Sequence, residues 1–286
     1  MGESRQNPEQ LPKSIQTDEE NRNKGHLKIF FGYAAGVGKT YAMLEAAHMA
    51  KQQGIDVVAG YVEPHACPKT AALLNGLEVL PTREVFYNGM ILDEFDIGMA
   101  LKRKPQLILV DELAHTNAEG CRHAKRYQDI KELLNAGIDV YTTVNVQHIE
   151  SLCDTVASIT EIVVRERIPD SIFDNADQVE LIDIEPQDLI NRLNTGNVYR
   201  QTQEKQAVEN FFTIENLTAL REISLRRCAD RVNILTENTR IKNHGDYHTG
   251  EHILVCLSSS PSNAKIIRTA AKMASAFKGE FTALFV

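Results

Sequence analysis

Nine residues lying between an apolar run and a helical one, Gly32-Tyr33-Ala34-Ala35-Gly36-Val37-Gly38-Lys39-Thr40, carry the most specific chemistry in the chain. Glycines let successive backbone N–H groups turn inward, and the helix that opens after them presents its positive N-terminus. A loop of this kind can wrap the β- and γ-phosphate oxygens of a nucleotide such as ATP. Lys39 would add a point charge to those oxygens and Thr40 a hydroxyl ligand to Mg²⁺, while Gly32, Gly36, Val37, Gly38 and Tyr41 complete the nucleotide-contacting stretch. The common pattern has glycine five residues before Gly38, where this chain has Tyr33. The glycine is displaced to Gly32, so the loop is one residue longer.

Such a loop works with an acid at the end of a second apolar strand, which reaches the Mg²⁺ shell. Leu107-Ile108-Leu109-Val110-Asp111-Glu112 supplies one. Asp111 would hold the metal through water, and Glu112 could orient or deprotonate an attacking water if hydrolysis occurs. Strand ends elsewhere contribute Glu63-Pro64-His65, then His115, Thr116 and Asn117, then Asn145, Gln147 and His148. Ligands of open parallel sheets bind at the carboxyl ends of strands, so these positions are favoured for nucleotide contacts, although each could instead cap a following helix. The histidines at 244, 248 and 252 repeat every four residues, a spacing that stacks metal ligands on a helix. Gly245 and Gly250 argue against that helix, and the stretch reads as linker.

The elements that must position these groups follow an alternating pattern. Leu27 to Phe31 reads as strand, Tyr41 to Gln53 as helix and Asp56 to Tyr61 as strand. Gln106 to Asp111 is a nearly continuous apolar strand, with Leu107 to Val110 as its buried centre; Arg122 to Asn135 is helical and Ile138 to Thr143 is strand again. Strand, helix, strand with short loops predicts an α/β fold: a mostly parallel sheet flanked by helices, as in phosphate-loop NTPases. Gly54 and Gly137 stand at the usual helix-stop position. A short helix opened by Pro186 spans 186–194, and a longer one runs from Gln203 to about Val232. Its apolar residues Phe211, Ile214, Leu217, Leu220 and Ile223 step by three, and Arg221, Arg226, Arg227 and Arg231 form a solvated or salt-bridged face. Residues 1–25 read as a flexible arm, 26–237 as the nucleotide-binding domain with its helical extension, and 238–251 as linker. Residues 252–286 form one further βαβ unit (strand 253–257, helix 262–277, strand 281–286), too small to bury a parallel sheet alone.

Composition narrows the partners. The 286 residues carry 31 Lys and Arg against 39 Asp and Glu, a formal charge of −8, which argues against general affinity for nucleic acid backbones or anionic membrane surfaces. No apolar run reaches the ~20 residues of a membrane span, and the N-terminus lacks the order of a signal peptide, so the expected location is cytoplasmic. Five cysteines, Cys67, Cys121, Cys153, Cys228 and Cys256, form no paired motif and read as free thiols.

Taken together, Gly36-Val37-Gly38-Lys39-Thr40, Gly60-Tyr61-Val62-Glu63-Pro64-His65, Asp111-Glu112-Leu113-Ala114-His115-Thr116-Asn117 and Val144-Asn145-Val146-Gln147-His148-Ile149-Glu150-Ser151-Leu152 resemble the KdpD-type potassium sensor histidine kinases. The resemblance covers residues 26–286. Members commonly carry proline where this chain has Ala35, and their loop has the same extra residue. The resemblance implies an N-terminal cytoplasmic sensing region, an ATP-binding phosphate-loop domain followed by a universal-stress-protein-like domain. In complete members transmembrane helices and a histidine kinase core come next, and the kinase controls a response regulator that switches on a potassium pump operon. The expected partners are therefore the remainder of the sensor kinase, or a separate kinase subunit, and its response regulator. The C-terminal unit is also similar to a cyclic di-AMP receptor: Ser258-Ser259-Ser260, twenty residues, then Phe281-Thr282-Ala283-Leu284-Phe285 match its motif, with Phe285 in place of tyrosine. That similarity implies Ser258, Ser260, Phe281, Thr282, Ala283 and Phe285 as dinucleotide contacts; an ordinary serine N-cap and core strand are the alternative. Three functional readings thus stand beside one another: a regulatory ATP-binding module, an ATPase or small-molecule kinase with Glu112 as base, and a cyclic di-AMP receptor.

Overall fold

A computed structural model describes residues 24–63, 68–87, 89–194, 211–243, 252–258, 263–276 and 280–285. Two compact units divide between Leu225 and Arg226.

In the first unit β1 (Leu27–Gly32) leads into α1 (Lys39–Gln52), β2 (Val57–Tyr61), α2 (Pro68–Ala72), β3 (Glu78–Val79), β4 (Arg83–Tyr87), β5 (Met90–Glu94), α3 (Ile97–Arg103) and β6 (Leu107–Val110). The chain continues through α4 (Arg126–Asn135), β7 (Asp139–Asn145), two 3-10 turns at Val146–His148 and Glu150–Leu152, α5 (Cys153–Thr160), α6 (Asp170–Asp174), β8 (Gln178–Leu181) and α7 (Pro186–Asn194) to α8 (Ile214–Asn243). Six strands form one sheet in the order β3-β2-β6-β7-β1-β8, and every pairing in it is parallel. The expected α/β sheet is present. Helices cover both faces: Phe30 packs with Met43, Leu44 and Ala47 of α1, and the next residue, Phe31, points the opposite way and meets Phe173 of α6 edge-on at 4.8 Å. As its uninterrupted apolar sequence required, β6 is buried along its whole length.

The strand order decides what can meet at the carboxyl edge. β1 and β6 are not neighbours; β7 lies between them, so its C-terminal end stands between the glycine loop and the acid that ends β6. Gly32 pairs in register with Asn145.

Several boundaries differ from the sequence reading. Gly25, assigned to the arm, is docked: its N–H donates to the Leu134 carbonyl at 2.8 Å, and a Cβ there would overlap the Ile138 backbone. α4 starts at Arg126 rather than Arg122, because residues 116–125 first turn back on themselves through a Thr116–Lys125 bridge. α8 runs to Asn243, past the linker expected from Asn238. Polar composition changed there, but the sequence has no glycine or proline before Gly245 to stop a helix. On α8, Leu217, Leu220, Ser224, Arg227 and Arg231 form a buried stripe, whereas Ile214 is exposed. Arg221 is salt-bridged to Asp183 and Glu185. Gly54 and Gly137 take the left-handed backbone expected of helix stops.

The second unit holds the rest of α8 and a βαβ element: β9 (His252–Leu257), α9 (Asn263–Ala276) and β10 (Glu280–Phe285), with β9 and β10 paired in parallel. No helix among the described residues is long and apolar enough to cross a membrane.

The two glycines give a contrast for urea denaturation. Gly25→Ala should cost about 2 kcal/mol or more, since backbone would have to move. Gly54→Ala, at φ 86° with open space around it, should cost only about 1 kcal/mol of backbone strain.

Candidate functional site

The turn from β1 into α1 is built by three glycines with two different tasks. Gly36 and Gly38 hold φ values of 87° and 111°, a region glycine enters without a Cβ penalty. Gly32 instead provides room: a Cβ there would sit 2.7 Å from Val37 Cγ2 and 3.2 Å from Lys39 Cδ. The loop therefore folds back over its own start. Tyr33, occupying the position where the common pattern has glycine, is fully buried, and its hydroxyl donates to the Ile184 carbonyl at 3.1 Å. Burial, with Asp183 adding to it, pushes the Tyr33 phenol up to about 12.

Lys39 lies along the inside of the loop, its Nζ donating to the Ala34 carbonyl at 2.9 Å. Burial lowers its pKa to about 8 against the pull of Asp111 and Glu112, which leaves it charged at neutral pH. The next residue, Thr40, donates its hydroxyl to Asp111 Oδ2 at 3.0 Å. Thr143 Oγ1 donates to Asp111 Oδ1, which also accepts the Glu112 N–H at 3.1 Å. The Asp111 carboxylate is thus held by α1, β7 and its own following residue, with no exposed surface. Glu112 has φ 58°, a left-handed value unusual outside glycine. Burial pushes its carboxyl up to about 7, and Asp111 and Glu63 add to the rise.

Around this centre stand polar groups from neighbouring strand ends. The carbonyl oxygens Asn145 Oδ1 and Gln147 Oε1 are buried without a hydrogen-bond partner. Gln147 Nε2 lies 3.4 Å from His148 Nε2, and burial lowers His148 to about 4, with Glu166 opposing and Lys39 and Lys125 adding. His148 is therefore neutral at physiological pH. Glu63 accepts from the Tyr61 hydroxyl at 2.7 Å; His65 lies outside the described residues. His115 is turned to Glu94, its Nε2 3.1 Å from both carboxylate oxygens. Thr116 N–H donates to Glu166 at 2.8 Å. Asn117 is committed to Asp129 Oδ2 at 2.6 Å and the His123 carbonyl at 3.0 Å, tying its loop to α4. Val37 is buried in the loop and Tyr41 is exposed on the first turn of α1.

Three residues that support this centre had no motif to reveal them. Arg126 is completely buried; its Nη1 donates to the Asp111 carbonyl at 3.1 Å and its Nη2 to Glu94 at 3.2 Å, and its guanidinium stacks 4.1 Å from the Tyr61 ring centre. Burial pushes Glu94 up, but hydrogen bonds from His115 and Ala118 N–H, together with Arg126, outweigh it and hold the carboxyl below the usual range. Thr143 escaped notice because one threonine in a strand is ordinary; only the placement of β7 gives it a role.

The residues present fit a magnesium nucleotide. Thr40 and Asp111 are hard oxygen donors of the kind Mg²⁺ takes sparingly beside water. The loop is a cradle that a Cβ at Gly32 would fill, and two buried carbonyl oxygens beside it lack partners.

In the second unit, the Ser258 carbonyl accepts from the Asn263 side chain, and Thr282 Oγ1 lies 2.8 Å from His252 Nε2. Phe281, Ala283 and Phe285 are exposed along one face of β10. Ser260, His244 and His248 lie outside the described residues; among those described, no group of three or more metal-ligating side chains converges. Cys121, Cys153, Cys228 and Cys256 are free, and Cys67 is not among the described residues.

The fold is of the α/β class, a mostly parallel sheet flanked by helices. The family profile described as "KdpD: Osmosensitive K+ channel His kinase sensor domain" matches residues 23–232. Sensor protein KdpD of Clostridium acetobutylicum is 57% identical over 285 residues, 99% of this chain and 32% of that protein. Sensor protein KdpD of Escherichia coli is 51% identical over 269 residues, 92% of this chain and 30% of that protein. A putative sensor protein KdpD of Synechocystis is 47% identical over 263 residues, 92% of this chain and 70% of that protein. The chain belongs to the KdpD sensor family, and it spans about a third of the length of the first two relatives.

Because the folded-state pKa of Glu112, about 7, stands above its ordinary 4.5, the folded protein binds that proton more tightly than the unfolded chain. The stability Glu112 contributes is therefore complete below pH 4.5 and is lost as pH rises through 7. Glu112→Gln should match the parent protein near pH 4.5 and exceed it by about 2 kcal/mol at pH 8 in urea denaturation.

Proposed function

We propose that this chain is the ATP-binding regulatory region of a potassium-responsive, two-component sensor histidine kinase. Residues 26–237 form the nucleotide-binding domain with its helical extension, and 252–286 begin a universal-stress-protein-like unit. With the remainder of the sensor kinase, or a separate kinase subunit, the region biases kinase and phosphatase output toward a response regulator that governs a potassium pump operon. It acts at the cytoplasmic side.

One observation carries the reading: Lys39 lies along the inside of the glycine loop, and its neighbour Thr40 puts its hydroxyl on the carboxylate of Asp111, 71 residues further along the chain. In this role Gly36, Gly38 and the N-terminus of α1 present N–H groups to phosphate oxygens, and Lys39 adds its charge. Thr40 would hold Mg²⁺ through its hydroxyl and Asp111 would hold it through water. Bound Mg²⁺ would supply neutralisation of phosphate charge. Asn145 Oδ1 and Gln147 Oε1 are buried acceptors without a partner, suited to ordered water.

A second reading, an ATPase, draws support from Glu112, whose carboxyl near pH 7 sits next to Asp111 and suits a general base. Phosphate release with Mg-ATP separates the two: sustained turnover abolished by Glu112→Gln establishes the enzyme, and no turnover leaves the regulatory module.

Lys39→Ala should weaken Mg-ATP binding at least tenfold by calorimetry; unchanged affinity would reject the site. Lys39 loses its proton near pH 8 in the free protein, so affinity should fall as pH rises past 8, and binding at pH 9 should take up protons.

A further inference from the structure

The position of α7 suggests a component of the site that the glycine-loop motif does not include. We infer that Arg192 on α7 contacts the phosphates of the nucleotide held by the Gly32–Thr40 loop, so that α7 forms one wall of the site. This rests on the nucleotide reading above.

A Cβ built on Gly38 would lie 3.9 Å from Arg192 Nη1. Gly38 is the N-cap residue of α1 and gives the helix no side-chain cap, so the guanidinium stands beside the positive end of that helix. A polyanion held in the loop would meet both the helix end and the guanidinium. The guanidinium is also suited to the ligand, because its planar fork can donate two hydrogen bonds to one phosphate. Arg192 is exposed while Leu189, about one turn earlier on α7, is fully buried, so packing fixes the helix without burying the charge.

The segment that carries Arg192 is pinned twice. Tyr33, the extra residue of the loop, donates its hydroxyl to Ile184 at 3.1 Å. Arg221 clamps Asp183 at 2.7 to 3.0 Å and Glu185 at 2.7 Å. The lengthened loop thus anchors the helix whose arginine faces it. The Arg192 charge is also felt at Tyr33.

Calorimetry with Mg-ATP on the whole chain, at two ionic strengths, tests the assignment with Lys39→Ala, Arg192→Ala and Arg192→Glu. Arg192→Ala should raise Kd about tenfold and flatten its salt dependence, and charge reversal in Arg192→Glu should raise Kd further. If both Arg192 variants bind within twofold of the parent while Lys39→Ala loses binding, the Arg192 role falls and the nucleotide site stands. If Arg192→Glu binds no more weakly than Arg192→Ala, the charge is not what acts, and the proposal falls as well. If Lys39→Ala binds as tightly as the parent protein, both fail together.

Discussion

Asp111 places a carboxylate with no exposed surface at the end of a buried strand, and burial of that kind is costly unless hydrogen bonds replace the lost water. Thr40 and Thr143 supply them by side chain and Glu112 by its N–H. This requirement reaches through the fold. Thr40 must open α1 directly after a tight loop, which calls for Gly36 and Gly38, and Thr143 must lie at the end of a strand between β1 and β6, which is where β7 inserts. The strand order and the loop are thus two consequences of satisfying one buried acid.

The backbone of that residue is fixed with equal care. Asp111 N–H donates to the Tyr61 carbonyl, and its own carbonyl accepts from Arg126. Arg126 is a fully buried cation, tolerated because Glu94 pairs with it and the Tyr61 ring stacks on it. Glu94 in turn collects His115 and the Ala118 N–H, so the β4–β5 hairpin is tied to the strand end that carries the acid. Removing either partner would leave the other charged and buried, which is why this network holds position instead of merely adding contacts.

Much of this was legible in the sequence where the signal is local. The glycine loop, the acid after a continuous apolar strand and the glycine stops after α1 and α4 each depend on neighbours in the chain, and each stands where expected. What stayed hidden depends on distant partners. β8, four residues at the edge of the sheet, is defined by its pairing with β1. Arg126 and Glu94 are 32 residues apart and carry no spacing signal. The antiparallel β4–β5 hairpin does have a local sign, Asn88-Gly89 between two apolar runs. Tyr33 looked like a departure from a motif; its buried hydroxyl bond to Ile184 gives the displaced glycine a structural reason.

The electrostatic settings follow from the same burial. Lys39 near 8 remains a cation, His148 near 4 is neutral and Glu112 near 7 can hold or release a proton, all beside a carboxylate that hydrogen bonds keep in place. The central claim, that Asp111 and Thr40 form the metal end of a nucleotide site, is tested most directly by the magnesium dependence of ATP affinity. Calorimetry of the parent protein and Asp111→Asn, each with Mg²⁺ and with chelator, should show a metal-dependent gain of tenfold or more in the parent and little or none in the variant, with metal-free affinity similar in both. An equal gain in Asp111→Asn, or no ATP binding by the parent protein under either condition, would contradict the account.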